Sequence, residues 1–405
     1  MIENVGELLP PARLMLTPGP SNMDPRVYRA LATPLVGHMD PWFNEMIGDV
    51  QAMLRQVFQT QNRITYPISA SGSGGIEASV MNLLEAGDDC IVCSNGWFSE
   101  RMAVIADRSP GAKVIRVTAP YGRKVDPDDV RRAGKGKKIK FVGLAHGETS
   151  SGVVQNLADY RKVADELGAL LVVDAVATLA GIPLNVEKER IDICFSGSQK
   201  AISAPPGMSP ITVNARVEEV IKARKTPVAS WYFDFMPIMT MWGSERSYHH
   251  TPPISLIFAL REALRLVLEE GLEARWKRHK NNQMALVAGL EGMGLDLFVP
   301  DPADRLVTVT SVTIPSGVDD KKVRQQLLDE FNIEIAGGFG DAKGKIWRVG
   351  LMGYSSQNTN VLLFLAALEK VLLDNGVRLP AGGGVAAAVQ SYRHAGQPVM
   401  AGANK

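Results

Sequence analysis

Short apolar runs of strand length alternate with stretches of helical periodicity through the first two-thirds of the chain. Segments 90–93, 113–117, 141–144, 170–173, 191–195 and 211–213 read as strands, and 76–85, 100–108, 127–132 and 157–167 as the helices between them. Such alternation builds βαβ units and a mostly parallel sheet. A long amphipathic pattern then runs from Ile254 to about Met293, with Gly271 as its break or kink. It leads into a smaller α+β unit. That unit has a strand over 307–314, a helix over 321–331, strands near 333–335 and 346–349, and a last helix over 358–374. The expected division is an N-terminal segment (1–20), a large domain (21–255), a connecting long helix (256–290), a small C-terminal domain (291–375) and a Gly/Ala-rich tail (376–405). Part of the tail is expected to form a short helix, and its last ten or so residues to stay loose.

Composition narrows the class. Hydrophobic residues make up 45% of 405 and charged residues 21%, ample for a large soluble core. Lys and Arg (44) nearly balance Asp and Glu (43), so no domain-wide basic field exists for nucleic acid and no polybasic run for a membrane surface. The opening MIENVGELLPPARL lacks the basic and apolar regions of a signal peptide. Cys90, Cys93 and Cys194 fall on predicted strands without a second cysteine pair or a nearby His, so they read as buried thiols and no metal site is expected. The odd count without an export signal points to a reducing cytoplasm.

Four features, in chain order, carry chemistry. Ser69-Ala70-Ser71-Gly72-Ser73-Gly74-Gly75 precedes the helix expected at Ile76. Glycines let a backbone approach an anion, and a helix start offers free N–H groups, so this is either a phosphate cradle or a plain turn. The apolar strand ending at Asp174 puts a carboxylate where ligands of parallel sheets bind. That carboxylate either faces a pyridinium nitrogen or caps a helix. Lys200 follows Ser196-Gly197-Ser198-Gln199, with apolar Ala201 and Ile202 after it. Partial desolvation there would make the amine nucleophilic toward an aldehyde; a solvated surface lysine is the other reading. Arg348 interrupts an apolar strand and suits a planar carboxylate, from a substrate or from the protein itself.

Taken together, the stretches TPGPSNMDP, AHGETSSGV, VVDAVATLAG, SGSQKAISAPPG, SYHHTPP and KIWRVGLMG resemble the class V aminotransferases of PLP (pyridoxal 5′-phosphate) fold type I. Within them, the alanine–glyoxylate and serine–glyoxylate aminotransferases are the most similar. The resemblance runs from about Leu14 to Leu373. It implies a seven-stranded-type sheet and a transaminase moving an amino group from alanine or serine to glyoxylate or pyruvate. It also implies (S)-ureidoglycine–glyoxylate transamination as the alternative, with a non-catalytic PLP-fold binding protein as a lower one.

The same resemblance implies roles for single residues. Lys200 matches the lysine that holds PLP as a Schiff base, Asp174 the carboxylate on the pyridine nitrogen, and Val176 the residue packed under the ring. Thr149 matches a hydroxyl near the phenolic oxygen. Ser71, Gly72, Ser73 and Gln199 match phosphate contacts. Tyr248 and Thr251 match phosphate contacts from a neighbouring subunit, which implies a homodimer with shared sites. Arg348 matches the substrate-carboxylate residue and Gly19 an N-terminal glycine near the substrate. Phe98, beside Trp97, stands where the stacking aromatic is often Trp; it can stack but lacks the indole N–H. His38 reads as a residue of the substrate mouth, and His249 and His250 as structural.

Overall fold

The computed structural model describes residues 6–396. Seven strands form one sheet in the order Ile64–Ile68, Ser209–Val213, Ile193–Phe195, Leu170–Asp174, Ile139–Ala145, Asp89–Ser94 and Lys113–Thr118. Six of the seven point in the same direction. Ser209–Val213 is antiparallel to both of its neighbours. The reversal comes from the loop after Phe195: it carries Lys200 past the strand ends and returns the chain alongside. The sheet is therefore mixed and mostly parallel, the α/β architecture expected.

The strand Ile64–Ile68 has no counterpart among the strands expected from periodicity. Pro67 interrupts its pattern, and a proline cannot donate to a ladder. The strand tolerates it because it lies at the sheet edge and pairs on one side only. The helix expected from Ile76 begins four residues earlier and spans Gly72–Leu83. Glycine's low helix propensity hid that first turn. Helices Pro41–Phe58, Ala215–Lys222 and Phe235–Trp242 also escaped the periodic reading. The first declares itself by Asp40, whose side chain accepts from the Trp42 amide, and by Pro41 at the first helical position.

Gly271 divides the long amphipathic stretch into Ile254–Glu270 and Leu272–Gly292. Two main hydrophobic cores flank this junction. One fills the space around the seven-stranded sheet; the other gathers Leu16, Leu286, Trp347, Val349, Phe364 and their neighbours. Each such side chain, once buried, contributes about 1.5–3 kcal/mol relative to exposure. Leu14–Met15 pairs in parallel with Ile333–Glu334, and the Gly350 amide donates to the Leu16 carbonyl (2.7 Å). The N-terminal segment is thus stitched to the C-terminal sheet before it reaches Lys200. Gly383–His394 is helical, and Tyr392 Oη donates to Asn282 on helix Leu272–Gly292 at 2.8 Å. The expected loose end of the tail lies largely outside the described residues. Among the described residues, no helix is long and apolar enough to cross a membrane.

Candidate active site

At the carboxyl ends of the central strands, three ionisable groups are buried together. Lys200 is 8% exposed, Asp174 5% and Arg348 3%. Asp174 ends strand Leu170–Asp174, and one carboxylate oxygen accepts from the Val176 amide at 2.8 Å. Its partner in the chain is this neutral amide rather than a hydrogen-bonded cation, so burial pushes the carboxyl up to about 7. Burial, followed by the Arg348 charge, lowers the Lys200 amine to about 8. Lys200 Nζ donates to the Pro18 carbonyl. Ser21 steadies the lysine's backbone: its hydroxyl donates to the Lys200 carbonyl at 2.9 Å, and its amide to the Gln199 carbonyl at 3.0 Å.

The expected phosphate cradle is the first turn of helix Gly72–Leu83. Ser71 occupies the N-cap position with extended backbone, and its side chain does not cap the helix. The first-turn amides are left for another acceptor. Gly72 packs on Val176: a Cβ there would lie 2.8 Å from Val176 Cγ2. Gln199 Oε1 is buried without a hydrogen-bond partner, and Gly197 lies beside it. Ser73 Oγ accepts from Arg101 Nη1 at 2.8 Å, and the Arg101 guanidinium sits 4.9 Å over the Phe98 ring.

Arg348 lies on strand Ile346–Gly350 and reaches the turn at Thr149. Nε donates to the Gly337 carbonyl (2.8 Å) and Nη1 to the Thr149 carbonyl (3.0 Å). No carboxylate of the described residues pairs with it. Burial lowers its guanidinium to about 10. Thr149 belongs to the turn that also carries Glu148, a fully buried carboxylate. Glu148 accepts from the Ser99 amide (2.8 Å), the Ser150 amide (2.9 Å) and the Ser150 hydroxyl (2.7 Å). A carboxylate at the start of helix Trp97–Ala106 is favoured by the unpaired amides and the helix dipole, and it fixes the turn that presents Phe98.

Asp174 thus meets Val176 and, through it, Gly72; Lys200, preceded by Gln199, meets Gly19; Arg348 meets Thr149; and Arg101 joins Ser73 to Phe98. The charges of Arg348, Asp174 and Arg101 all act on Lys200, which puts these groups at one site. His38, Tyr248 and Thr251 form no such contact with Lys200 within the chain. The His38 and Tyr248 rings lie 5.4 Å apart, Tyr248 is 60% exposed, and Thr251 is exposed. His250 Nε2 hydrogen-bonds Ser69 Oγ at 2.9 Å, and His249 stacks on Trp231 at 4.2 Å. Sequence reasoning missed Arg101, Glu148, Phe339 and the Pro18 carbonyl. Arg101 had one signal, its i+3 spacing from Phe98 on a helix; the others act through contacts that periodicity does not encode. Cys90, Cys93 and Cys194 are buried, and burial pushes the Cys90 thiol up to about 12.

A mostly parallel sheet with a buried lysine and carboxylate beyond its strand ends is the architecture of the PLP fold-type I aminotransferases. The chain belongs to the class-V aminotransferase family, whose profile matches residues 27–358. It is 42% identical to the (S)-ureidoglycine–glyoxylate transaminase of Bacillus subtilis, over 96% of this chain and 98% of that one. It is 39% identical to the alanine–glyoxylate aminotransferase of Felis catus, over 89% of this chain and 88% of that one. Among solved structures, the B. subtilis ureidoglycine–glyoxylate aminotransferase superposes with a TM-score of 0.93 at 44% identity, covering 96% of this chain and all of the other. An alanine–glyoxylate aminotransferase from Nostoc sp. superposes at 0.89 with 42% identity, covering 91% and 98%.

Proposed function

We propose that this aminotransferase uses PLP to move an amino group from a small amino acid, alanine or serine, to glyoxylate or pyruvate. One observation carries the reading: Lys200, Asp174 and Arg348 are buried in one site, and none of them is hydrogen-bonded to an opposite charge among the described residues. The residues fit the cofactor. The Asp174 carboxyl has no hydrogen-bonded cation. Gln199 Oε1 is an orphaned acceptor. Gly72 opens a helix start that a side chain would crowd.

PLP bound here supplies an electron sink for the donor's α-carbon. Lys200 would hold it by the amine, Asp174 would face its ring nitrogen, and Val176 and Phe98 would lie on opposite ring faces. Thr149 would lie near the phenolic oxygen. Ser71, Gly72, Ser73 and Gln199 would bind the phosphate. Lys200 Nζ, lowered to about 8, takes the α-proton of the donor and returns it near neutral pH. Arg348 binds the substrate carboxylate, and the backbone at Gly19 closes the lysine side. That closure favours small donors: Pro18 and Gly19 already lie against the Lys200 side chain. Tyr248 and Thr251 serve the phosphate of a neighbouring subunit in a cytoplasmic homodimer, and His38, beside Tyr248, goes with them to that substrate mouth.

The reading as a ureidoglycine–glyoxylate aminotransferase is equally favoured by the similarities: that match has 42% identity over 96% of the chain against 39% over 89% for the alanine–glyoxylate match, and a TM-score of 0.93 against 0.89. Against it stands the mouth, where an imidazole and a phenol offer fewer donors and acceptors than a ureido group needs. The deciding experiment compares kcat/KM for alanine, serine and freshly generated ureidoglycine with glyoxylate. Alanine or serine is expected to lead. A ureidoglycine preference above roughly a hundredfold, about 2.7 kcal/mol, overturns the assignment.

A further inference from the structure

Phe339 belongs to none of the motifs that define the site, yet it touches three of the site's aromatic or charged groups. Its ring lies 4.4 Å from the Arg348 guanidinium carbon. It meets the Phe98 ring edge-on at 6.2 Å and the Trp97 ring at 5.9 Å. The glycines around it permit this. A Cβ on Gly338 would collide with the Ala342 carbonyl, and Gly340 has φ +50° with Tyr121 Oη 2.7 Å from where its Cβ would be. The loop is therefore curled tightly enough to lay one ring on the guanidinium while Phe339 stays 42% exposed.

The donors of Arg348 divide in a way that gives this contact a consequence. Nε is committed to Gly337 and one Nη1 hydrogen to Thr149. What remains is the second Nη1 hydrogen and both Nη2 hydrogens, and the end-on edge of the guanidinium plane takes one hydrogen from each of these two nitrogens. Two carbonyls hold that plane from opposite flanks, Gly337 at Nε and Thr149 at Nη1, and the Phe339 ring covers a face. We infer that Phe339 is a positioning residue for substrate. It holds the Arg348 plane so that the Nη1–Nη2 edge meets the substrate carboxylate end-on, with two parallel hydrogen bonds. This rests on the reading of Arg348 as the carboxylate-binding residue. Because the carboxylate is bound alike in the ground and transition states, losing the ring weakens binding without slowing the chemical step.

The test uses the PLP-loaded enzyme and propionate, a carboxylate with no amine to react. Propionate affinity is read by calorimetry, alongside KM and kcat for alanine and the melting temperature. Phe339→Ala is expected to weaken propionate and raise the alanine KM by about 5- to 30-fold, the range between an exposed and a desolvated cation–π contact. Its kcat stays within about twofold of wild type. Phe339→Tyr, which keeps the π face, stays within about twofold in every readout. Wild-type propionate affinity in Phe339→Ala overturns the inference. So does a Tyr variant as weak as the Ala variant at an unchanged melting temperature. Arg348→Ala separates the two levels: if it abolishes propionate binding while Phe339→Ala binds propionate as wild type does, the inference fails and the carboxylate reading stands. If Arg348→Ala still binds propionate normally, the carboxylate reading fails first.

Discussion

Gly19 lies flat against Lys200: a Cβ built on Gly19 would fall 2.5 Å from Lys200 Cδ and 2.6 Å from Nζ. Gly19 also has φ +101°, which costs any other residue about 1–2 kcal/mol. Gly19→Ala therefore pushes the lysine out of place besides straining the backbone. The expected outcome is at least about tenfold weaker capture of PLP, followed by absorbance on mixing, with a melting temperature only a few degrees lower. Normal capture would show that the N-terminal segment does not set the lysine's position.

The second prediction concerns Asp174 in the cofactor-free protein. Its folded carboxyl titrates at about 7 against an ordinary 3.8. Protonated Asp174 therefore contributes its full stability below about pH 4 and loses it as pH rises through about 7. The gap corresponds to roughly 4 kcal/mol as an upper bound. Asp174→Asn stays neutral at every pH. Its melting temperature relative to wild type should rise between pH 4 and 8, while its PLP affinity falls. Parallel melting curves across that range would contradict the buried, unpaired carboxyl.

Replacing Arg348 with Lys keeps a positive charge but removes the planar fork. A loss of about 2–5 kcal/mol in kcat/KM is expected for both amino and keto acids with Arg348→Ala, and a large part of it with Arg348→Lys. Equal kcat/KM in wild type and Arg348→Ala would remove Arg348 from substrate binding.

Tyr248 and Thr251 are exposed in the single chain, as groups awaiting a neighbour would be. If they complete a second subunit's phosphate site, PLP binding and dimerisation strengthen each other by mass action. Sizing at assay concentration should give a dimer, and removing PLP should lower the melting temperature. A fully active monomer would exclude the shared site.

Much of the site was legible because it sits in contiguous motifs at strand ends: Asp174 closes an apolar strand, and Lys200 follows one among small residues. Arg348 stood out as a charge inside an apolar strand. The rest depends on distant segments meeting. Nothing local marks Glu148 as the acceptor at the start of helix Trp97–Ala106, or Phe339 as the cover of Arg348. The fold's misses have equally local causes. Pro67 hid an edge strand, and the glycines of the proposed phosphate cradle hid the first turn of their own helix. In that cradle, the residues that weaken the helical signal are those that leave backbone amides open to an anion.

The central claim is that Lys200, made nucleophilic by burial, is where PLP attaches. The direct measurement is borohydride reduction of the protein after incubation with equimolar PLP at pH 7 to 8, followed by peptide mass spectrometry. Burial lowers the amine to about 8 from an ordinary 10.5, so Lys200 outcompetes the exposed lysines at this pH. The account predicts one phosphopyridoxyl adduct, on the peptide containing Lys200, and little labelling of Lys200→Ala. Label spread over surface lysines, and unchanged in Lys200→Ala, would contradict it.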